Sequence, residues 1–350
     1  MRKLTIFLIL ITGLITLRLE AQSGGDNTYN FLTLPNSARV AGMGGNFLAI
    51  KDNDINLGLN NPSLISPEMH NNLGMSFVDY YSDIKYGYAT YGRHFNKVGS
   101  FVATMQFMDY GKFTYADNVG NAEGNFGVNE YAMNIGWGRA LDSSFFIGAN
   151  IKGIFSQFES YNSFGLAVDV AGTYYNKENL FTASLIVSNI GRQITTYNGY
   201  NEPLPFEIKA GLSKSMKHIP LTFSVLFTNL QKWDLTYQST INVETDPVTG
   251  EVVDSKGGIA DFSDKLMRHI VFGAELRPFK IIRLRLGYNY LRRKEMVVAS
   301  KPSTVGWSWG LGIKVYKFEV AYSRSAYHLA PAFNFFTVTT NIDSFFNTME

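Results

Sequence analysis

The strongest constraint in this sequence is a period of two. From Leu73 onward, stretches of about ten residues alternate apolar with small or polar side chains and are separated by turn-forming residues. Ile282, Leu284, Leu286, Tyr288 and Tyr290 oppose Arg283, Arg285, Gly287 and Asn289. Phe206, Ile208, Ala210 and Leu212 oppose Glu207, Lys209, Gly211 and Ser213, and Phe164, Leu166, Val168 and Val170 face away from Gly165, Ala167, Asp169 and Ala171. Successive side chains of a strand point to opposite faces, so each stretch reads as a strand with one apolar side. Fourteen are read, near 73–81, 85–94, 98–108, 128–140, 144–158, 161–175, 180–190, 205–217, 220–231, 268–278, 281–293, 304–314, 316–326 and 333–342.

Alternation alone also suits a soluble sandwich, and connection lengths separate the two. The links around Asn96, Asp142, Lys177, His218, Phe279 and Tyr316 are short, whereas 109–127, 191–204, 232–267, 294–303 and 327–332 are longer. Short turns on one rim and long loops on the other characterise outer-membrane barrels. The links after the first and fifth segments are short where this scheme expects long ones. Charged residues make up only 17% of the chain and aromatics 15%, against about a quarter charged in a soluble domain. Tyr80, Tyr81, Trp137, Tyr174, Tyr175, Trp233, Tyr288, Tyr290, Trp307 and Trp309 lie near segment ends and suit two interfacial girdles. The expected fold is an all-β, 14-stranded antiparallel transmembrane barrel over 73–350, preceded by a plug segment, 22–72, with both termini on the periplasmic side. Met1-Arg2-Lys3, the apolar run Leu4–Leu17 and Ala21 read as a signal peptide, 1–21.

Chemistry is sparse. Gly306-Trp307-Ser308-Trp309-Gly310 matches the serine-hydrolase elbow, which needs a strand-to-helix turn, but Val305 to Val315 alternate as a strand and no helix pattern follows. Ser308 therefore reads as a lumen-facing residue. Asp52-Asn53-Asp54 begins like a calcium loop, yet Leu57 stands at the required glycine and Ser63 at the required glutamate. Gly42-Met43-Gly44-Gly45 lacks the dinucleotide-loop pattern, and the five histidines have no metal-ligand spacing. Zero cysteines exclude disulfides and thiolate chemistry, and a net charge of +2 without a basic run gives no nucleic-acid footprint. No cofactor or metal is expected. In the plug, Ser37 to Met43 reads as a short helix and Asn61-Pro62-Ser63 as a turn. The lumen-facing charges, among them Lys152, Asp169, Glu207, Lys209, Glu275, Arg283, Arg285 and Lys314, carry both signs and suit internal pairing or a plug.

Thr28–Ile50, TYNFLTLPNSARVAGMGGNFLAI, followed by Asp52–Ser66, DNDINLGLNNPSLIS, resembles the opening of the PorQ and PorV proteins of the type IX secretion system of Bacteroidetes, with Tyr29-Asn30-Phe31-Leu32 and Leu34-Pro35-Asn36-Ser37-Ala38-Arg39 closest to PorQ. These are similar to the FadL transporters, fourteen-stranded barrels with an N-terminal plug whose Asn-Pro-Ala appears here as Asn61-Pro62-Ser63. The resemblance implies a non-enzymatic, multi-pass outer-membrane component, in contact with lipid and lipopolysaccharide, that anchors a PorZ-like surface partner beside a PorU–PorV attachment complex. Two other readings stay open: a FadL-like transporter of hydrophobic small molecules and a secreted β-rich surface protein. The longest link, 232–267, is the expected partner-binding loop, with Asp246, Pro247, Gly250, Glu251 and Asp254 at the tip of a hairpin.

Overall fold

A strand facing lipid has no water to satisfy its backbone, so a sheet in a membrane must pair every edge by closing on itself. The computed structural model of the chain, which describes residues 27–117, 119, 121–236, 258–296, 304–327 and 332–346, is such a sheet. Among the described residues its strands are β1 (Asn72–Asp79), β2 (Lys85–Phe95), β3 (Gly99–Ala116), β4 (Ala122–Ala140), β5 (Phe145–Phe158), β6 (Tyr161–Asn176), β7 (Phe181–Thr195), β8 (Glu207–Ser215), β9 (Leu221–Phe227), β10 (Ile270–Phe279), β11 (Ile282–Asn289), β12 (Trp307–Val315), β13 (Phe318–Ser325) and β14 (Phe333–Asn341). Each pairs antiparallel with its sequence neighbours, and β1 pairs with β14 from Asn72↔Asn341 to Asp79↔Asn334, closing a 14-stranded barrel. The expected signal peptide and the loop tip carrying Asp246, Pro247, Gly250, Glu251 and Asp254 lie outside the described residues.

Along most of the wall the apolar side of the strand faces outward. Ile151, Leu166, Leu185, Leu284, Trp307 and Trp309 are exposed, whereas Lys152, Asp169, Glu275, Arg285 and Ser308 point inward and are buried. One rim holds the tight turns and the start and end of the sheet. The opposite, wide rim carries the long connections, which in outer-membrane barrels is the extracellular one.

Several boundaries differ from the sequence reading. The link expected over 109–127 is mostly sheet: β3 and β4 continue as a ribbon with Lys112 opposite Gly127 and Ala116 opposite Ala122. The last contact with β2 is Asp109↔Lys85 and with β5 Val128↔Phe158, so the ribbon projects beyond both neighbours. Within the expected link 232–267, Gly258–Arg268 is helical, and the strand expected to run through 293 stops at Asn289, where the helix Tyr290–Met296 begins. Tyr290 thus leaves the girdle and donates to Asp264 at 2.7 Å. Tyr80 also leaves it, packing in the lumen 5.5 Å from Tyr86 and 4.2 Å from Phe333 between ring centroids. Both ends of the sheet, Asn72 and Asn341, lie together at the narrow rim, and the described plug reaches up from there to the opposite one. Thr28 N–H donates to Pro203 O at 2.9 Å in the connection between β7 and β8, so the first described residues of the plug lie at the wide rim.

Outward placement of Leu284, which is 42% exposed, sets a first expectation. Leu284→Arg places a cation in the lipid-facing band at a cost of about 2–4 kcal/mol. Heat-modifiable gel mobility is expected to show a lower folded fraction for it than for wild type, and an unchanged fraction would contradict the assignment of that face.

Candidate functional site: a plugged lumen and an aromatic recess

The plug is a traverse. From the wide rim the chain makes a 3-10 turn, Asn30–Thr33, then the helix Ala38–Gly42, whose first turn is capped by Ser37 Oγ accepting from Val40 N–H. Wall hydroxyls hold this helix: Ala38 N–H donates to Thr337 Oγ1 at 2.8 Å, and Ser325 Oγ donates to Ala41 O at 3.0 Å. Ser308 accepts from Gly44 N–H at 3.0 Å and donates to Gly42 O at 3.2 Å. The serine of the elbow-like motif sits on a strand and secures the plug. The chain passes the wall here so closely that a Cβ on Gly287 would collide with Gly44 N, and Gly44 itself has φ +104°.

From Gly45 the chain descends to Asp52 near the narrow rim and returns through the short helix Leu57–Asn60 and the 3-10 turn Pro62–Leu64. Asn61 forms the corner. Its Oδ1 accepts from Ser63 N–H at 3.1 Å and its Nδ2 donates to Leu48 O at 2.7 Å, while Ser63 Oγ meets Thr173 Oγ1 at 2.7 Å. Asn61, Pro62 and Ser63 are all buried against β5 and β6.

Charge fills the lower lumen. Arg39, 3% exposed, donates to Glu275 at 2.9 Å, to Asp52 at 2.7 Å and to Asp54 at 3.1 Å. Glu275 also accepts from Arg285 at 2.8 Å and from Arg277 at 2.6 Å. The two aspartates that begin like a calcium loop are the plug's own partners for Arg39. Burial alone would push the Asp52 carboxyl up, but Arg39, helped by Arg277, holds it below the usual carboxylate range. Higher on the wall Lys152 pairs with Asp169 at 2.8 Å, and where β8 leaves the wide rim Lys209 pairs with Glu207 at 3.0 Å.

The upper lumen is aromatic. Tyr86, Tyr88, Phe335 and Met108 pack around the plug's Phe31 and Leu34. Tyr88 donates to Leu34 O at 3.2 Å and Gln106 to Phe31 O at 2.6 Å, and Tyr29 Oη bonds to Ser163 Oγ. Beside Tyr29 a recess of about 460 Å³ opens at the wide rim. Its walls include Tyr110, Phe158, Tyr161 and Tyr197, with ring centroids 6.0 Å apart for Tyr110–Phe158 and 5.5 Å for Phe158–Tyr197. Glu130 lies in it, accepting from Tyr110 Oη at 2.6 Å and from Ser156 Oγ at 2.9 Å. The sequence reading missed this recess, because Tyr110 and Tyr197 fell in expected loops. The available signal was Glu130, an acid on the inward parity of β4.

No protein-family model matches the chain, and no curated protein matches it. Among solved structures it is similar to the Pseudomonas putida toluene transporter TodX, with a TM-score of 0.50 and 10% identity over 87% of this chain and 97% of that one. The ΔS2S3 mutant of TodX, a monoaromatic hydrocarbon channel, gives a TM-score of 0.50 and 11% identity over 87% and 99%. A Pseudomonas aeruginosa FadL homologue gives 0.48 and 10% over 87% and 98%. The chain has the fold of the FadL-like outer-membrane barrels.

The plug's fit against the wall makes two outcomes measurable. A Cβ on Gly148 would collide with Pro62 C and O, whereas one on Gly153 in the same strand meets nothing within 4 Å. Gly148→Ala is expected to expel the Asn61-Pro62-Ser63 turn and Gly153→Ala to be silent, read by maleimide labelling of Ser63→Cys in a chain with zero native cysteines. Labelling at equal rates in the two backgrounds would contradict the close fit. The depressed Asp52 carboxyl gives the second outcome. Its contribution is complete above the unfolded value of about 4 and disappears as pH falls through the lower folded value. Ser63→Cys is expected to stay protected from neutral pH to about 4 and to become reactive toward a pH-independent thiol reagent in stronger acid.

Proposed function

We propose that this protein is a plugged outer-membrane barrel that admits small hydrophobic molecules through the aromatic recess at its wide rim. The observation that carries the reading is the recess walled by Tyr110, Phe158, Tyr161 and Tyr197, open beside the plug above the ion cluster of Arg39. Its volume falls within the range of small-molecule sites, which are apolar with a few placed polar groups. The likeness to TodX supports the reading through the fold, since the fold alone does not fix a function. The test is uptake of the fluorophore N-phenylnaphthylamine by intact Gram-negative cells. Cells making the wild type are expected to accumulate it several-fold faster than cells making Tyr197→Trp, which fills the recess, at equal amounts of folded barrel. Equal rates would overturn the proposal.

A second reading, a type IX secretion component anchoring a PorZ-like surface protein beside PorU–PorV, draws support from the likeness of Thr28–Ser66 and from the β3–β4 ribbon. Among the described residues the ribbon leaves both edges unpaired beyond Asp109 and Val128, and it carries the stacked rings of Phe113 and Phe126, 5.4 Å apart. Unpaired strand edges suit the addition of a partner's strand. Asp246, Pro247, Gly250, Glu251 and Asp254 remain the second candidate contact on this reading. Replacing 111–127 by a Gly-Ser turn is expected to abolish co-purification of a surface protein from the native outer membrane while the barrel still inserts. Undiminished co-purification would remove the ribbon from that reading.

A further inference from the structure

We propose that the recess at the wide rim is a receptor for an organic ammonium ion bearing a small apolar group. Among the described residues five carboxylates are buried: Glu130, Asp169, Glu207, Asp264 and Glu275. Four of them meet a lysine or arginine, Asp169 with Lys152, Glu207 with Lys209, Asp264 with Arg268 and Glu275 with Arg39 and Arg285. Glu130, only 2% exposed, makes no ion pair among the described residues and is held by two hydroxyls. Burying a carboxylate without a counter-charge is costly, and a cation from outside would supply at Glu130 what the other four buried acids find within the chain.

The surroundings of Glu130 fit that cation. Tyr110, Phe158 and Tyr197 form three consecutive walls, Tyr110 and Phe158 tilted by 46° and Phe158 and Tyr197 near perpendicular at 87°. Aromatic faces disposed in this way attract an ammonium group through the ring quadrupole, most strongly where water is excluded. No lysine or arginine lines the recess among the described residues, and Glu202 adds a second acid to its lining. The buried Tyr197 hydroxyl has no hydrogen-bond partner among them. An anionic ligand would face both carboxylates, whereas a cation with an apolar group meets Glu130 and the rings together.

Cation recognition rests on the uptake reading only for the passage of a bound solute through the barrel, and binding and passage are measured separately. The probe is benzyltrimethylammonium, titrated calorimetrically into the full-length protein in a non-ionic detergent, with neutral benzyl alcohol and anionic benzoate as comparators. Wild type is expected to bind the cation saturably and at least about tenfold more tightly than either comparator. Glu130→Gln is expected to lose about tenfold for the cation and to leave benzyl alcohol unchanged. Tyr161→Leu, at a ring 51% exposed and remote from the packed lumen, is expected to weaken the cation severalfold, and it keeps the test decisive if Glu130→Gln fails to fold. Cation binding no tighter than that of benzyl alcohol, or undiminished in the folded variants, would overturn the inference. Selective cation binding together with recess-independent fluorophore uptake would leave it standing and overturn the uptake reading. Recess-dependent uptake without cation preference would do the reverse.

Discussion

Arg39 is the residue on which the interior depends. A guanidinium taken out of water inside a barrel is tolerable only with its charge and donors fully engaged, and here one wall carboxylate, Glu275, and two plug carboxylates, Asp52 and Asp54, engage it. That single requirement fixes several things together. It sets the helix Ala38–Gly42 against β12 and β13, brings the far end of the descending segment back beneath that helix, and ties both to β10. The position of the helix in turn determines where the preceding residues emerge. Tyr29 and Phe31 are thereby held at the wide rim, where Tyr29 shapes one side of the aromatic recess.

The lumen is consequently two environments stacked along one axis. Below, the charges gathered around Arg39 pair at close range. Above, rings and hydroxyls face a carboxylate that no lysine or arginine of the described chain neutralises. A solute arriving at the wide rim meets the second environment first, so selection by polarity and charge takes place before any contact with the ion-paired layer.

Most of the barrel was legible in the sequence because lipid enforces the alternation. Leu284, Leu286 and Tyr288 had to share a face, and they do. Legibility failed where lipid stops acting. Phe113, Tyr115 and Phe126 belong to a ribbon above the rim, where neither face is buried and glycine, asparagine and lysine interrupt the pattern, so a strand there resembles a loop. Tyr290 continues the alternation numerically, but the run Leu291-Arg292-Arg293-Lys294-Glu295-Met296 favours helix, and Asp264 draws the tyrosine out of the sheet. In the plug, the Ser37 cap and the Asn61-Pro62 corner were readable from local turn chemistry. Glu130 was readable as an inward-facing acid, whereas its lack of a counter-charge is a property of the neighbouring strands and the plug together, which no local pattern encodes.

The direction of the plug has a consequence for how the molecule is made. Tyr29 and Phe31 lie at the wide rim and Asn72 enters the sheet at the narrow one, with the ion cluster and its packed helix between them. The capped helix and its desolvated guanidinium are enclosed on every side by the closed sheet, and an order in which the wall closes around the plug, with the seam that joins Asn72 to Asn341 across 269 residues of chain closing last, spares that helix a passage through a finished barrel. In such an order a defect in Arg39 would be felt in assembly as well as in the seal.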